Sequence, residues 1–241
     1  MTDNAASELP VRSGSAFYRL SCGLARLVMH LFTRAEVAGL ENFPRQGGVL
    51  VVSNHLSIAD PPILAAITPR PLTSMGKSEL FSKWLQGRVL RAWGVFPVRR
   101  GEADRAAVRG ALAVLQSGGV LLLFPEGTRR PGGLGEGRAG VAYLAARSGC
   151  PVLPVAFVGT EKIRGLQSLW RRPRFQLTIG EPFFVEEARP NRGSDQIMEA
   201  IAELLPPERR GRYGKHPGAA SGSRPPNDTL RERSTTVVGG D

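Results

Sequence analysis

The chain has 241 residues, 41% of them hydrophobic and 22% charged, which suffices for the core of one substantial domain and excludes a fully disordered protein. Thirty-two Lys and Arg against 21 Asp and Glu leave a formal charge of +11, so the expected partner is anionic. Nucleic acid, an acidic membrane surface and a phosphorylated substrate all meet that demand, and charge alone does not choose among them. Only Cys22 and Cys150 are present, too few for a zinc cluster or a disulfide scaffold, and they read as reduced thiols.

At the N-terminus, Met1 to Glu8 is acidic and polar and the apolar stretch after it is interrupted by Arg19 and Arg26, unlike a secretory signal. No run of 18 apolar residues occurs, so no membrane span is expected. From Ser15 to Thr33, Phe17, Leu20, Leu24, Leu27, Val28, Leu31 and Phe32 recur at helical spacing. At 100° per residue, Arg12, Arg19, Arg26 and His30 fall within about 40° of one another. This is an amphipathic helix with a basic stripe. It either docks its apolar face on the domain or lies in a lipid interface, and the uniformly positive charge from Arg12 to Arg34 favours the interface.

Beyond Glu36, short apolar runs alternate with longer helical windows. Strands are expected at 48–53, 72–75, 94–98, 119–124, 152–158 and 175–179, and helices at 61–67, 78–91, 103–116, 138–148 and 194–205. Asp60 before Pro61 reads as an N-cap, and Gly118 and Gly149 as helix ends. The fold class is therefore α/β, a mostly parallel sheet covered by helices, with the amphipathic helix ahead of it. The expected division is residues 1–34 as a membrane-associating arm, 35–205 as the domain and 206–241 as a disordered basic tail, rich in Gly and Pro. That tail carries seven basic and four acidic residues, so +8 of the net charge belongs to the rest of the chain.

Three strand ends carry the chemistry. Val51-Val52-Ser53-Asn54-His55 runs on to Asp60, placing an imidazole and a carboxylate at the carboxyl end of a buried strand, where open α/β sheets bind ligands. A carboxylate on one ring nitrogen fixes the tautomer and leaves the other nitrogen to take a proton. The bland alternative is a polar turn followed by a capping Asp. Leu121-Leu122-Leu123-Phe124-Pro125 runs into Glu126, Gly127, Thr128, Arg129 and Arg130, a loop suited to hydroxyl and phosphate contacts or simply to solvent. Gly94 to Val98 ends in Arg99 and Arg100. A parallel sheet would bring all three to one edge.

These blocks are recognisable. Asn54-His55-Leu56-Ser57-Ile58-Ala59-Asp60 resembles the His-x4-Asp block of the glycerolipid acyltransferases, and Phe124-Pro125-Glu126-Gly127-Thr128-Arg129 is similar to their second block. The segments Gly94 to Arg100 and Val152-Leu153-Pro154-Val155 match weaker family features in order, as does Lys77-Ser78-Glu79-Leu80 between the first two blocks; the resemblance spans about Gly39 to Gly180. Arg130 stands where the family often has Ser, and Pro97 interrupts the segment before Arg99.

The likeness is greatest to the 1-acylglycerol-3-phosphate acyltransferases. It implies transfer of an acyl group from acyl-CoA or acyl carrier protein to the free hydroxyl of lysophosphatidate, giving phosphatidic acid, with no metal and no cofactor beyond that co-substrate. It further implies His55 as general base, Asp60 as its orienting acid, Glu126, Gly127, Thr128 and Arg129 around the glycerol phosphate, Arg99 on the phosphate and Pro154 near the acyl donor. Peripheral attachment at the cytoplasmic face of a membrane goes with such a lipid acceptor. A different lysolipid acceptor is the alternative within this chemistry. The rivals outside it are a thioester hydrolase, a silent lipid-binding protein and a basic nucleic-acid-binding module, for which no nucleic-acid motif is found.

Overall fold

The computed structural model describes residues 15–99, 104–185 and 190–214. Arg12, Arg100 and the tail beyond residue 214 lie outside them.

Seven strands form one sheet: β1 (Arg34–Ala38), β2 (Val49–Ser53), β3 (Leu72–Lys77), β4 (Val95–Val98), β5 (Val120–Leu123), β6 (Val152–Val158) and β7 (Arg174–Ile179). Their spatial order is β1-β7-β6-β2-β5-β3-β4, and only the β6/β7 pair is antiparallel. The strands β2 to β6 therefore all end at the same edge. β2 is central and buried on both faces, with Val49 and Val51 in one core and Leu50 and Val52 in the other, as the two-residue strand repeat requires. Burying each such side chain contributes about 1.5–3 kcal/mol, which makes this strand a fixed platform for the residues that follow it.

Helices cover both faces. On one side α4 (Arg105–Gln116), α5 (Ala139–Ser148) and α7 (Pro190–Glu203) supply Ala111, Leu115, Leu144, Ala145, Ile197 and Ile201 to a shared core. On the other, α1 (Ala16–Phe32) and α2 (Asp60–Ile67) supply Tyr18, Cys22, Ile63 and Leu64. The remaining helices are α3 (Trp84–Ala92) and the single turn α6 (Leu166–Leu169). Both cysteines are free.

Several expected elements shift. The helix expected at 78–91 is broken: Ser78–Phe81 is a 3-10 turn, the Ser82 hydroxyl donates to the Glu79 carbonyl, and Lys83 is extended before α3 begins. A side chain that satisfies a backbone carbonyl in this way offers the chain an alternative to continuing the helix. Helix α7 starts at Pro190, four residues before the expected start, with proline in the first turn where its missing N–H costs nothing. Strand β1 was not expected, because all five of its residues are exposed and no alternation marks it. The ordered chain also continues past residue 205, through 3-10 turns at Pro207–Arg209 and Gly211–Tyr213.

Asp60 is not the cap of α2. Ala59 holds that position without a side-chain bond, and Asp60 is the first helical residue, its carboxylate turned back toward the preceding loop.

Helix α1 is docked by the side that carries Tyr18 and Cys22. The Tyr18 hydroxyl accepts from the Leu72 N–H at 3.0 Å, and burial pushes its phenol well above the ordinary value. Arg26 donates from Nε to the Ala66 carbonyl, so one member of the basic stripe is tied to the domain. The opposite side of the helix presents Phe17, Leu20, Leu24, Leu27 and Leu31, all exposed, with Leu20 at 76%. The apolar face therefore looks outward and the docking face is mixed, the reverse of an ordinary surface helix.

Candidate active site

His55 leaves β2 at the sheet's carboxyl edge. Its Nδ1 lies 2.8 Å from Asp60 Oδ2, and the same oxygen accepts the backbone N–H groups of Leu56 and Ser57, each at 2.7 Å. Asp60 is 0% exposed, and an oxygen that accepts from two amides carries no proton of its own, so the ring places its proton on Nδ1. Nε2, which makes no hydrogen bond to a described residue, is left as the basic nitrogen. The imidazole stacks on Phe124 at 4.0 Å between centroids and 18° between planes, which holds it flat, and 15% of the side chain remains open to solvent.

The residues after β5 hold the His55 backbone from beneath. Glu126 Oε1 accepts the His55 N–H at 3.2 Å and Oε2 accepts the Gly135 N–H at 2.9 Å, while the His55 carbonyl accepts the Arg130 N–H at 2.7 Å. Glu126 is 4% exposed; burial raises its carboxyl above the ordinary value, and the N–H groups of Gly135 and His55 pull it back down. Both of its oxygens are thus engaged by backbone, which makes Glu126 a brace for the histidine loop and for the loop after it. Gly127 has φ +66°, a backbone angle that favours glycine, and a Cβ there would lie 2.4 Å from Arg138 Nε, so that the Arg138 side chain would have to shift.

Asn54 secures the other side. Its Nδ2 donates to the Phe157 carbonyl at 2.9 Å and its Oδ1 accepts the Phe157 N–H at 2.8 Å, locking the exit of β2 to β6. The two residues are 103 apart in the chain, so spacing gives no hint of the pair.

An open groove of about 290 Å³ runs beside this loop. Leu56, Ile58, Pro131 and Ile163 give it apolar walls, and Arg129, Glu161 and Arg164 give it charge. An acceptor with an anionic head and an aliphatic tail matches that mixture. Among the described residues, no three His, Cys, Asp or Glu side chains are grouped as metal ligands.

A family model described as Acyltransferase matches residues 34–158, from β1 to the end of β6 and across every motif above. The chain belongs to the acyltransferase family. A Streptococcus pneumoniae relative named 1-acyl-sn-glycerol-3-phosphate acyltransferase is 26% identical over 196 residues, covering 80% of this chain and 71% of its own. A Pseudomonas aeruginosa protein named lyso-ornithine lipid O-acyltransferase is 37% identical over 135 residues, covering 55% of this chain and 50% of its own. The crystal structure of the 1-acyl-sn-glycerophosphate acyltransferase PlsC from Thermotoga maritima matches with a TM-score of 0.62 at 27% identity, over 78% of this chain and 79% of that one.

In this acyltransferase the expected site residues fall into three groups. His55, Asp60 and Glu126 converge within one hydrogen-bonded unit, Gly127 follows Glu126 in the same loop with its N–H on the Phe124 carbonyl, and Arg129 lines the groove beside it. Thr128 is exposed on the same loop. Arg99 is exposed at the same sheet edge but follows β4, three strands from β2, or about 14 Å at ordinary inter-strand spacing. Its backbone N–H donates to Asp104, the N-cap of α4, whose carboxyl is lowered first by that bond and then by the N–H of Ala107. Pro154 is buried inside β6, in register with Val52. Its carbonyl accepts from Gly180, between the β6/β7 ladder and an isolated bridge from Val152 to Phe183 that is offset by one residue. A one-residue bulge of this kind accommodates a proline, which has no N–H to give the ladder. Glu161, Arg164 and the stacking role of Phe124 emerge only from the fold, because they depend on where β5 and β6 end.

Proposed function

We propose that this protein transfers a fatty acyl group from the thioester of coenzyme A or acyl carrier protein to the free hydroxyl of 1-acyl-sn-glycerol 3-phosphate, giving phosphatidic acid for phospholipid biosynthesis. The observation that carries the reading is the His55–Asp60 pair at the mouth of the sheet, with Nε2 unpartnered among the described residues. Nε2 takes the hydroxyl proton as the oxygen attacks the thioester carbonyl. The tetrahedral oxyanion collapses, the C–S bond breaks, and His55 returns the proton to the departing thiolate. The acyl group arrives already activated, so the step needs neither a covalent enzyme intermediate nor a cofactor. Arg129 and Arg164 hold the acceptor's phosphate in the groove, with Thr128 beside them and Arg99 approaching from β4, while Glu126 and Gly127 shape the loop that carries these contacts. Pro154 acts from within the sheet, supporting the wall toward the donor.

The exposed apolar face of α1 supports attachment from one side of a bilayer. No described helix is long and apolar enough to cross a membrane, whereas α1 presents five large apolar side chains outward with Arg19 and His30 on its flank. Phe32 at its end meets the exposed Trp170 edge-on at 5.7 Å, extending the same surface with an aromatic suited to the headgroup level. Attachment to the cytoplasmic leaflet fits the basic charge, since anionic lipids concentrate there.

Another lysolipid as acceptor is the second reading, favoured by the relative named for lyso-ornithine lipid. Incubating the purified full chain with a panel of lysolipids and both donor types, and identifying products by mass, decides between them. Phosphatidic acid as the main product supports the first reading; acylation of lyso-ornithine lipid alone replaces it with the second.

A further inference from the structure

The family match ends at residue 158, yet the segment 206–214 is tied into the site by bonds that match does not include. The Arg209 carbonyl accepts the Leu134 N–H at 2.9 Å. The next residue along, Gly135, gives its N–H to Glu126 Oε2, and Glu126 Oε1 holds the His55 N–H. Three hydrogen bonds and one intervening peptide unit thus connect Arg209 to the His55 backbone. The Arg209 side chain makes a second tie: Nη2 meets Glu161 Oε1 at 2.7 Å, and Glu161 lines the groove on the side provided by the loop after β6. The contact is close along its length. A Cβ on Gly211, whose φ is +56°, would fall 2.2 Å from the Leu134 carbonyl oxygen, and Arg212 pairs with both Glu136 and Asp195.

We propose that residues 206–214 form a strap that positions the acyl-transfer site, with Arg209 as its positioning residue. Through Leu134 and Glu126 the strap sets the height of the His55 loop, and through Glu161 it sets the wall of the groove that takes the acceptor. The two ties predict separable effects. Loss of the Glu161 pair loosens the groove and weakens acceptor binding, whereas displacing the strap from Leu134 slackens the brace beneath His55 and slows the chemical step. A purely structural role for Arg209 would lower stability, since Arg209 Nη1 and Glu161 Oε2 are buried beside the pair, and leave the kinetics of the folded enzyme unchanged. The proposal rests on the reading that acyl transfer takes place at His55.

The test uses the full chain and four variants: Arg209→Ala, Arg209→Lys, the swap Arg209→Glu with Glu161→Arg, and Gly211→Ala. Each is measured for acyl transfer to lysophosphatidate, for thermal unfolding and for amide hydrogen exchange at Leu134, Gly135 and His55. Arg209→Ala is expected to raise KM for the acceptor about 3- to 30-fold with the donor KM unchanged, and Arg209→Lys and the swap to recover most of the loss. Gly211→Ala is expected to lower kcat over the same approximate range and to speed exchange at all three amides. Activity falling only in proportion to the folded fraction, or kinetics of Arg209→Ala and Gly211→Ala equal to wild type, would overturn the strap. Its failure is distinct from failure of the parent reading, which shows as a wild-type protein inactive with every thioester and lysolipid pair.

Discussion

Replacing Asp60 with Asn changes one atom of the site and removes its negative charge. The Asn carbonyl oxygen can still accept from Leu56 and Ser57, because those amides approach the oxygen now at 2.7 Å from both. The same oxygen faces His55 Nδ1, so the carbonyl keeps all three donors and the NH2 takes the place of Oδ1, a buried atom with no partner among the described residues, while the imidazolium formed when Nε2 takes the proton loses its counter-charge. Hydrogen bonds to a charged acceptor contribute about 1.5–3 kcal/mol and neutral ones about 0.5–1.5, so weakening two of them costs about 2 kcal/mol. Removing a charge from a fully buried position offsets part of that loss. The variant should therefore fold, with a melting temperature lowered by several degrees, and lose about 10²- to 10⁴-fold in kcat, the usual worth of a general base. Asp60→Ala, which strands both amides and the ring, should lose as much activity and about 3–5 kcal/mol of stability. Initial rates at saturating donor and acceptor, with thermal unfolding on the same samples, separate the two effects. An Asp60→Asn enzyme with kcat within twofold of wild type at neutral pH would refute the role given to the Asp60 charge.

Other sites give further tests. Burial raises the Glu126 carboxyl, so the folded state binds that proton more tightly than the unfolded chain. Its contribution is present at low pH and is lost as pH rises from the ordinary glutamate value through the raised one, with a slope of at most about 1.4 kcal/mol per pH unit. Urea unfolding from pH 4 to 7 should show this slope in wild type and not in Glu126→Gln; equal pH profiles would contradict it. Gly127→Ala, forced into a left-handed angle against Arg138, should lose about 1–2 kcal/mol and most activity, checked by melting and turnover. Replacing Leu20, Leu24 and Leu27 together with Ser should weaken binding to anionic vesicles by about tenfold or more while leaving the melting temperature within a degree or two, since none of the three packs on the domain. Unchanged sedimentation with those vesicles would assign the contact to another surface.

What sequence reading reached, and where it stopped, follows from which forces are local. The central strands are evident because Val49 to Val52 and Val120 to Leu123 are buried on both sides and so are uniformly apolar. His55, Asp60 and Glu126 stand out because each follows such a run within a few residues, and a parallel sheet gathers those ends. Asp60 is nonetheless no cap: Pro61 and Pro62 have no N–H to offer it and the Ile63 N–H goes to the Ala59 carbonyl, so its carboxylate turns to the three donors of the His55 loop. The braces made by Asn54 and Arg209 join residues 103 and 48 positions apart, pairings that no local pattern encodes. The segment 206–214 looks unstructured by composition, since its order comes from arginine pairs and backbone bonds to the loop it covers instead of from apolar burial. The outward face of α1 was visible as periodicity, yet only its docking through Tyr18 and Arg26 shows which side is left bare.

The central claim is that His55 Nε2 is the base for acyl transfer, and the most direct measurement is the turnover of His55→Ala with saturating acyl thioester and lysophosphatidate. The variant removes the ring but not the backbone groups that Glu126 and Arg130 hold, so its fold and melting temperature should stay close to wild type. The account predicts a fall in kcat of about 10²- to 10⁴-fold with little change in either KM. Turnover of the folded variant at the wild-type rate would contradict it.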